Sequence, residues 1–229
     1  RSVVQRYLSK NYTVAVVDIK LSNEFPNVHY YQGDVSDQGG AKKVVDQIVH
    51  DLGGVNILVN CAGIGPRKLS LEFTDREISQ VLDVNLKGTI FMCQAVAPHM
   101  MKNKGGAIVN IGSMLAHFGS QKGLAYASSK GGVILATKCF AVDWAPYRIR
   151  VNAVSPGYIE TPLTGTFFVD HDFYQHLLRR TPQGRLGKPE EVAAAIDFLT
   201  SPEASFITGI DLPVDGGLLA GDPALSSRS

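Results

Sequence analysis

The chain has no run of eighteen apolar residues, and it does not open with the charged, apolar and small-residue pattern of a leader. The first absence argues against a membrane span and the second against a secretory signal. Neither sign of charge prevails: 22 lysines and arginines face 21 acids, a net +1, so neither nucleic acid nor an anionic membrane surface is an expected partner. Cysteine is scarce. Cys61, Cys93 and Cys139 are odd in number, far apart and in apolar company, the pattern of reduced buried thiols and not of a disulfide framework. With no resolving cysteine beside it, Cys61 reads as inert packing. The six histidines lack ligand spacing; His171 and His176, five apart, do not share a helix face, and no metal is expected. What these absences leave is a soluble, cytoplasmic protein with a small-molecule partner.

The 229 residues are 45% hydrophobic, enough for one large core and one domain. Val3, Val4, Tyr7 and Leu8 mark an apolar helix face. Apolar strands are predicted over Thr13–Asp18, Val28–Gly33, Val55–Asn60, Ala107–Ile111, Ile149–Ser155 and Ile210–Val214. Helices fall between them. One carries Val44, Val45, Ile48, Val49 and Leu52 on one face. Another opens on a capping box at Thr74 and Glu77 and continues past Pro98, where a kink is expected. A third bears Tyr126 and Lys130, and a fourth starts at Pro189 with Val192, Ile196 and Leu199 inward. Such alternation predicts an α/β fold: a doubly wound parallel sheet covered by helices on both faces, in a single domain over 1–229. Residues 157–184 are too many for a simple connection. They carry Phe167, Phe168, Phe173 and Tyr174 and are predicted to form a substrate-side lid insertion. The pair Arg179 and Arg180 reads as a solvated face that could meet an anionic substrate tail.

Tyr126 and Lys130 stand one helical turn apart, with Ser113 upstream and Asn85 further back. A free phenol ionises near ~10, and an ammonium on the same helix face favours the phenolate. A lowering of about three units takes roughly 4 kcal/mol, within reach of one close charge in a partly dry site and a second from an oxidised nicotinamide. The pattern proposes interconversion of alcohol and ketone. Asn85 follows Ile78, Val81 and Leu82 on an apolar helix face, so its amide must have partners. Asp18 and Asp34 end strands where doubly wound sheets bind ligands. An acid roughly 20 residues after a glycine-rich turn accepts hydrogen bonds from the adenosine ribose of NAD, and counting back from Asp18 puts that turn just before Arg1. The turn and the strand that feeds it are therefore expected outside this chain. A carboxylate at Asp18 repels a 2′-phosphate, so NAD is expected over NADP, although Lys20 is near.

Asn60-Cys61-Ala62-Gly63, Asn85, Ser113 thirteen before Tyr126, Lys130, Pro156-Gly157, Thr161 and Asp215-Gly216-Gly217 together resemble the short-chain dehydrogenase/reductase family over essentially the whole chain. The resemblance implies a Rossmann-type sheet of order 3-2-1-4-5-6-7, lacking here its first strand and glycine-rich loop. It implies that Tyr126 is the general acid/base, that Lys130 lowers its pKa and binds the nicotinamide ribose, that Ser113 holds the substrate oxygen and that Asn85 anchors a water. Asp18 and Ile19 would then meet the adenosine ribose, and Asp34 and Val35 the adenine. Asn60, Ala62 and Gly63 would wall the ribose and pyrophosphate, and Pro156, Gly157, Ile159 and Thr161 the nicotinamide end. Cys61 replaces the usual second asparagine. An NADPH-dependent 3-oxoacyl reductase is also similar, and a catalytically silent dinucleotide-binding scaffold is the alternative outside enzymes. Leu115 and Phe118 make the pocket apolar, and the helices of Asn85 and Tyr126 resemble those through which the family forms a homotetramer or dimer.

Overall fold

The computed structural model describes residues 1–22, 24–161 and 171–221. Six strands alternate with helices: β1 Val14–Asp18, β2 Val28–Gln32, β3 Ile57–Asn60, β4 Gly106–Ile111, β5 Ile149–Pro156 and β6 Asp211–Val214. The main helices are α1 Ser2–Leu8, α2 Gln38–Leu52, α3 Asp75–Leu82, α4 Gly88–Lys102, α5 Leu124–Trp144, α6 His171–Arg180 and α7 Pro189–Thr200.

Local chemistry sets the boundaries. The Asp37 side chain accepts from Gly39 N and Gly40 N and so starts α2 before the apolar face that announces it, and Gly53, at φ 83°, ends it. Thr74 and Glu77 cap the start of α3 reciprocally. The strands are apolar because both faces are covered. Adjacent Ile108 and Val109 point to opposite sides and are both sealed, Ile108 against α2 and α4, Val109 against α7. Burial of each such side chain contributes roughly 1.5–3 kcal/mol. On the second face α1 is tied to α7, where Arg6 and Lys10 both reach Asp197 and the Tyr7 and Thr200 hydroxyls meet at 2.8 Å.

All pairings are parallel, as expected, but the sheet is divided: β2 pairs with β1, and β3-β4-β5-β6 form a separate run. Between β1 and β3 lies a cleft of about 450 Å³, lined by Val14–Asp18, by Ile57–Ala62, by Val3, Val4 and Tyr7 of α1, and by Val45, Ile48, Met92 and Val96 of α2 and α4. The family order is kept on each side of it.

Past Leu82 the helix does not run straight on into α4. Asp83–Lys87 form a π turn with Asn85 fully buried at its centre, while Pro98 lies within the continuous α4. The irregularity expected at the proline stands a dozen residues earlier, where a widened turn re-aims a side chain.

Candidate active site

Parallel strands bring their carboxyl ends to one edge, and β4 delivers Ile111, Gly112 and Ser113 there. Ser113 is extended, and its Oγ accepts from Leu115 N at 3.1 Å, starting a short turn over Met114–Ala116. Helix α5 packs close to this edge because its small residues permit it. A Cβ on Gly132 would come within 2.8 Å of Leu86 in the π turn. Tyr126 and Lys130 thereby face the end of β4. The Ser113 side chain lies near enough to the Tyr126 hydroxyl to act on its pKa, and Lys130 Nζ donates to the Ile111 carbonyl at 2.6 Å while lying 5.8 Å from the centre of the Tyr126 ring.

Burial, the Ser113 hydroxyl and the charge of Arg67 act on the phenol, and burial prevails, so the Tyr126 pKa is raised. Lys130 is not among the groups that set this shift. That ammonium is itself buried, which lowers its pKa to about 8, and it is spent on a carbonyl. In this state the Tyr126 phenol keeps its proton.

Asn85 has its partners. Its Oδ1 accepts from Ile64 N at 2.8 Å, and its Nδ2 donates to Ile64 O at 2.8 Å and to Ser129 Oγ at 3.0 Å. The side chain clamps the loop after β3 onto α5. Gly63 lies between: a Cβ there would stand 3.3 Å from Asn85 Oδ1 and 3.7 Å from Lys130 Nζ.

The remaining residues of the expected dinucleotide face lie along the same edge with uneven freedom. Asp18 is exposed and accepts from Lys20 N, and Ile19 is exposed beside it. Asp34 accepts from the backbone and hydroxyl of Ser36, which lower its pKa. Val35 is packed on the start of α4, where a Cβ on Gly88 would meet it at 2.7 Å. The Asn60 side chain turns inward and donates to Asn110, which donates to Thr137. Ala62 and Gly63 are exposed. Gly157 follows Pro156 in direct backbone contact with Asp215, where a Cβ would come within 2.7 Å of Cα. Ile159 is buried and bridges to Gly187, joining the two ends of the predicted insertion, and Thr161 is half-buried. Phe167 and Phe168 lie outside the described residues. Phe173 and Tyr174 fall on α6, whose Arg179 and Arg180 are both exposed, with Arg180 5.5 Å over the Phe118 ring.

Two cysteines also depart from expectation. Only Cys93 is buried; Cys61 is exposed at the rim of the β1–β3 cleft and Cys139 on the outer side of α5. Apolar neighbours in sequence misled because they face the other way. Among the described residues no three His, Cys, Asp or Glu side chains gather as metal ligands, and no helix is long and apolar enough to cross a membrane. Sequence reasoning missed Ile111, Ser129, Asn110 and Arg67, of which the first acts through its carbonyl and carries no side-chain signal.

A family profile described as enoyl-(acyl carrier protein) reductase matches residues 2–219. The chain is 42% identical over 189 residues to a 3-oxoacyl-(acyl-carrier-protein) reductase of Thermotoga maritima, covering 82% of this chain and 76% of that one. It is 38% identical over 188 residues to a 2-dehydro-3-deoxy-D-gluconate 5-dehydrogenase of Dickeya dadantii, covering 82% and 74%. The crystal structure of a gluconate 5-dehydrogenase from Burkholderia cenocepacia in complex with NADP and tartrate superposes with a TM-score of 0.92 at 31% identity, over 96% of this chain and 90% of that one. With Ser113, Tyr126 and Lys130 gathered at one sheet edge, this chain is an oxidoreductase of the short-chain dehydrogenase/reductase family.

Proposed function

We propose that the protein interconverts a secondary alcohol and a ketone with NAD(H), Tyr126 handling the proton. The observation that carries this reading is the placement of the Ser113 hydroxyl beside the Tyr126 phenol at the end of β4, with a buried ammonium one turn along α5. The residues suit a dinucleotide: an exposed acid at the end of β1, side-chain-poor backbone at Ala62 and Gly63, and a buried cation at Lys130. Asp18 and Ile19 would hold the adenosine ribose, Asp34 and Val35 the adenine, Lys130 the nicotinamide ribose, and Pro156, Gly157, Ile159 and Thr161 the nicotinamide end. When bound, the nicotinamide supplies or accepts hydride.

In reduction, the Ser113 hydroxyl donates to the ketone oxygen, and Tyr126, kept protonated by burial, passes its proton to the developing alkoxide. In oxidation Tyr126 takes the hydroxyl proton, and the Lys130 ammonium is the chain's own charge opposing the cost of burial. Asp18 supports NAD over NADP by repelling a 2′-phosphate. The charge of Arg67 felt at Tyr126 supports a small hydroxy acid as substrate, in keeping with the gluconate-related names of several relatives. A second reading, an NADPH-dependent 3-oxoacyl reductase, draws on the apolar Leu115 and Phe118 and on the Thermotoga relative. A homo-oligomer is part of the proposal, supported by Leu124, Leu135 and Val142 exposed along α5.

The test is a panel of secondary alcohols, aldonates and a 3-oxoacyl thioester, each assayed with both dinucleotides. Tyr126→Phe should cut turnover at least ~100-fold while sparing NADH affinity in a fluorescence titration. Turnover retained in that variant refutes the assignment.

A further inference from the structure

Asp211 opens β6 with a carboxylate only 7% exposed, an expensive group at a position where an apolar side chain would serve the core. Its Oδ2 accepts from Ser155 Oγ at 2.8 Å and meets His117 Nε2 at 2.7 Å, and its Oδ1 is buried without a hydrogen bond. The His117 ring is the basic group within ion-pair distance, and its side chain is 35% exposed.

These contacts close on one short stretch. His117 ends the turn that Ser113 begins, with His117 N bonded to Met114 O at 3.1 Å and Ala116 N to Ser113 O at 2.9 Å. At the other end, Gly112 N donates to Val154 O at 2.8 Å, and a Cβ on Gly112 would come within 2.6 Å of Ser155 Oγ, so Ser155 lies close beside the residue just before Ser113. A single buried carboxylate thus grips the turn behind Gly112 through Ser155 and at its far end through His117. The next residue, Phe118, carries Arg180 of α6 over its ring.

We propose that Asp211 and His117 are positioning residues for Ser113, fixing the turn of residues 112–117 to the β5–β6 edge so that the Ser113 hydroxyl stays beside Tyr126. The inference rests on the reading of Ser113 given above. A carboxylate that served only to hold the fold would cost more than the apolar residue it displaces; one that sets the register of a reactive hydroxyl repays that cost in turnover.

The test compares His117→Ala, His117→Gln, Asp211→Asn and the double variant His117→Ala/Asp211→Asn in the full chain. Hydrogen exchange of the peptide spanning 113–118 should quicken several-fold in His117→Ala, with β4 unchanged, and return toward wild type in His117→Gln, whose amide can still donate. In the same variants kcat should fall roughly three- to tenfold with KM little moved, the size expected for a lost charge-assisted hydrogen bond that orients without reacting, and the double variant should be no worse than the worse single one. Unchanged exchange at 113–118 overturns the tether. Quickened exchange with wild-type kcat overturns the positioning role. Ser113→Ala with full turnover instead overturns the underlying assignment of Ser113, so the two failures are told apart.

Discussion

Lys130 Nζ donates to the carbonyl of Ile111 at 2.6 Å, one helical turn from a phenol whose pKa is raised by burial. Cation and acid are thus neighbours without being a simple ion-stabilising pair. The backbone of β4, and not the phenol alone, fixes where the ammonium sits.

Burial lowers the Lys130 pKa from 10.5 to about 8, so this group adds stability above 10.5 that is lost as pH falls through about 8. Comparing Lys130→Met with wild type by denaturant unfolding, the wild type should gain relative to the variant between those values, by up to roughly 3 kcal/mol. A constant difference across that window contradicts the buried charge.

Asn85→Ala should strip both backbone groups of Ile64 of their partner in a fully buried place. A loss of about 3 kcal/mol in unfolding free energy is expected, with turnover falling as the loop after β3 loosens against α5. Stability at the wild-type level would show that the clamp is idle.

Gly65→Ala separates activity from folding. The new Cβ would stand 3.0 Å from Tyr126 Cδ2, while the backbone there is free of positive φ. The ring must shift, so kcat should drop roughly tenfold, yet the melting temperature should hold or rise because alanine restricts the unfolded chain. Equal kcat in the two proteins would mean the ring has room.

Asp18→Asn should raise the preference for NADP(H) over NAD(H) by roughly tenfold, read as the ratio of kcat/KM values, through removal of one negative charge near a 2′-phosphate. An unmoved ratio would detach Asp18 from cofactor choice.

Much of this was legible in residue order. The six strands and the capping box at Thr74 and Glu77 appear where apolar runs and cap chemistry put them, and Ser113, Tyr126 and Lys130 converge as their spacing suggested. What stayed hidden depends on direction and depth. Nothing in a helical pattern marks the π turn at Asp83–Lys87, because the pattern says which residues are apolar and not how many close a turn. Lys130 was legible as a cation, but its aim at Ile111 was not, since a carbonyl has no letter of its own. The Asp211 carboxylate carries no mark in the sequence, because its partners, Ser155 and His117, are 56 and 94 residues away.

The bridge of Ile159 to Gly187, backed by Glu160 N to Gly187 O at 2.8 Å and Gly187 N to Tyr158 O at 2.9 Å, joins the backbone after β5 to the backbone before α7. A loop shut at its neck can gain or shed length at little entropic penalty, since doubling it adds only about 0.6 kcal/mol. Changes of length between those two paired ends would thus leave β4 and α5, which set Lys130 and Tyr126 at the sheet edge, where they are.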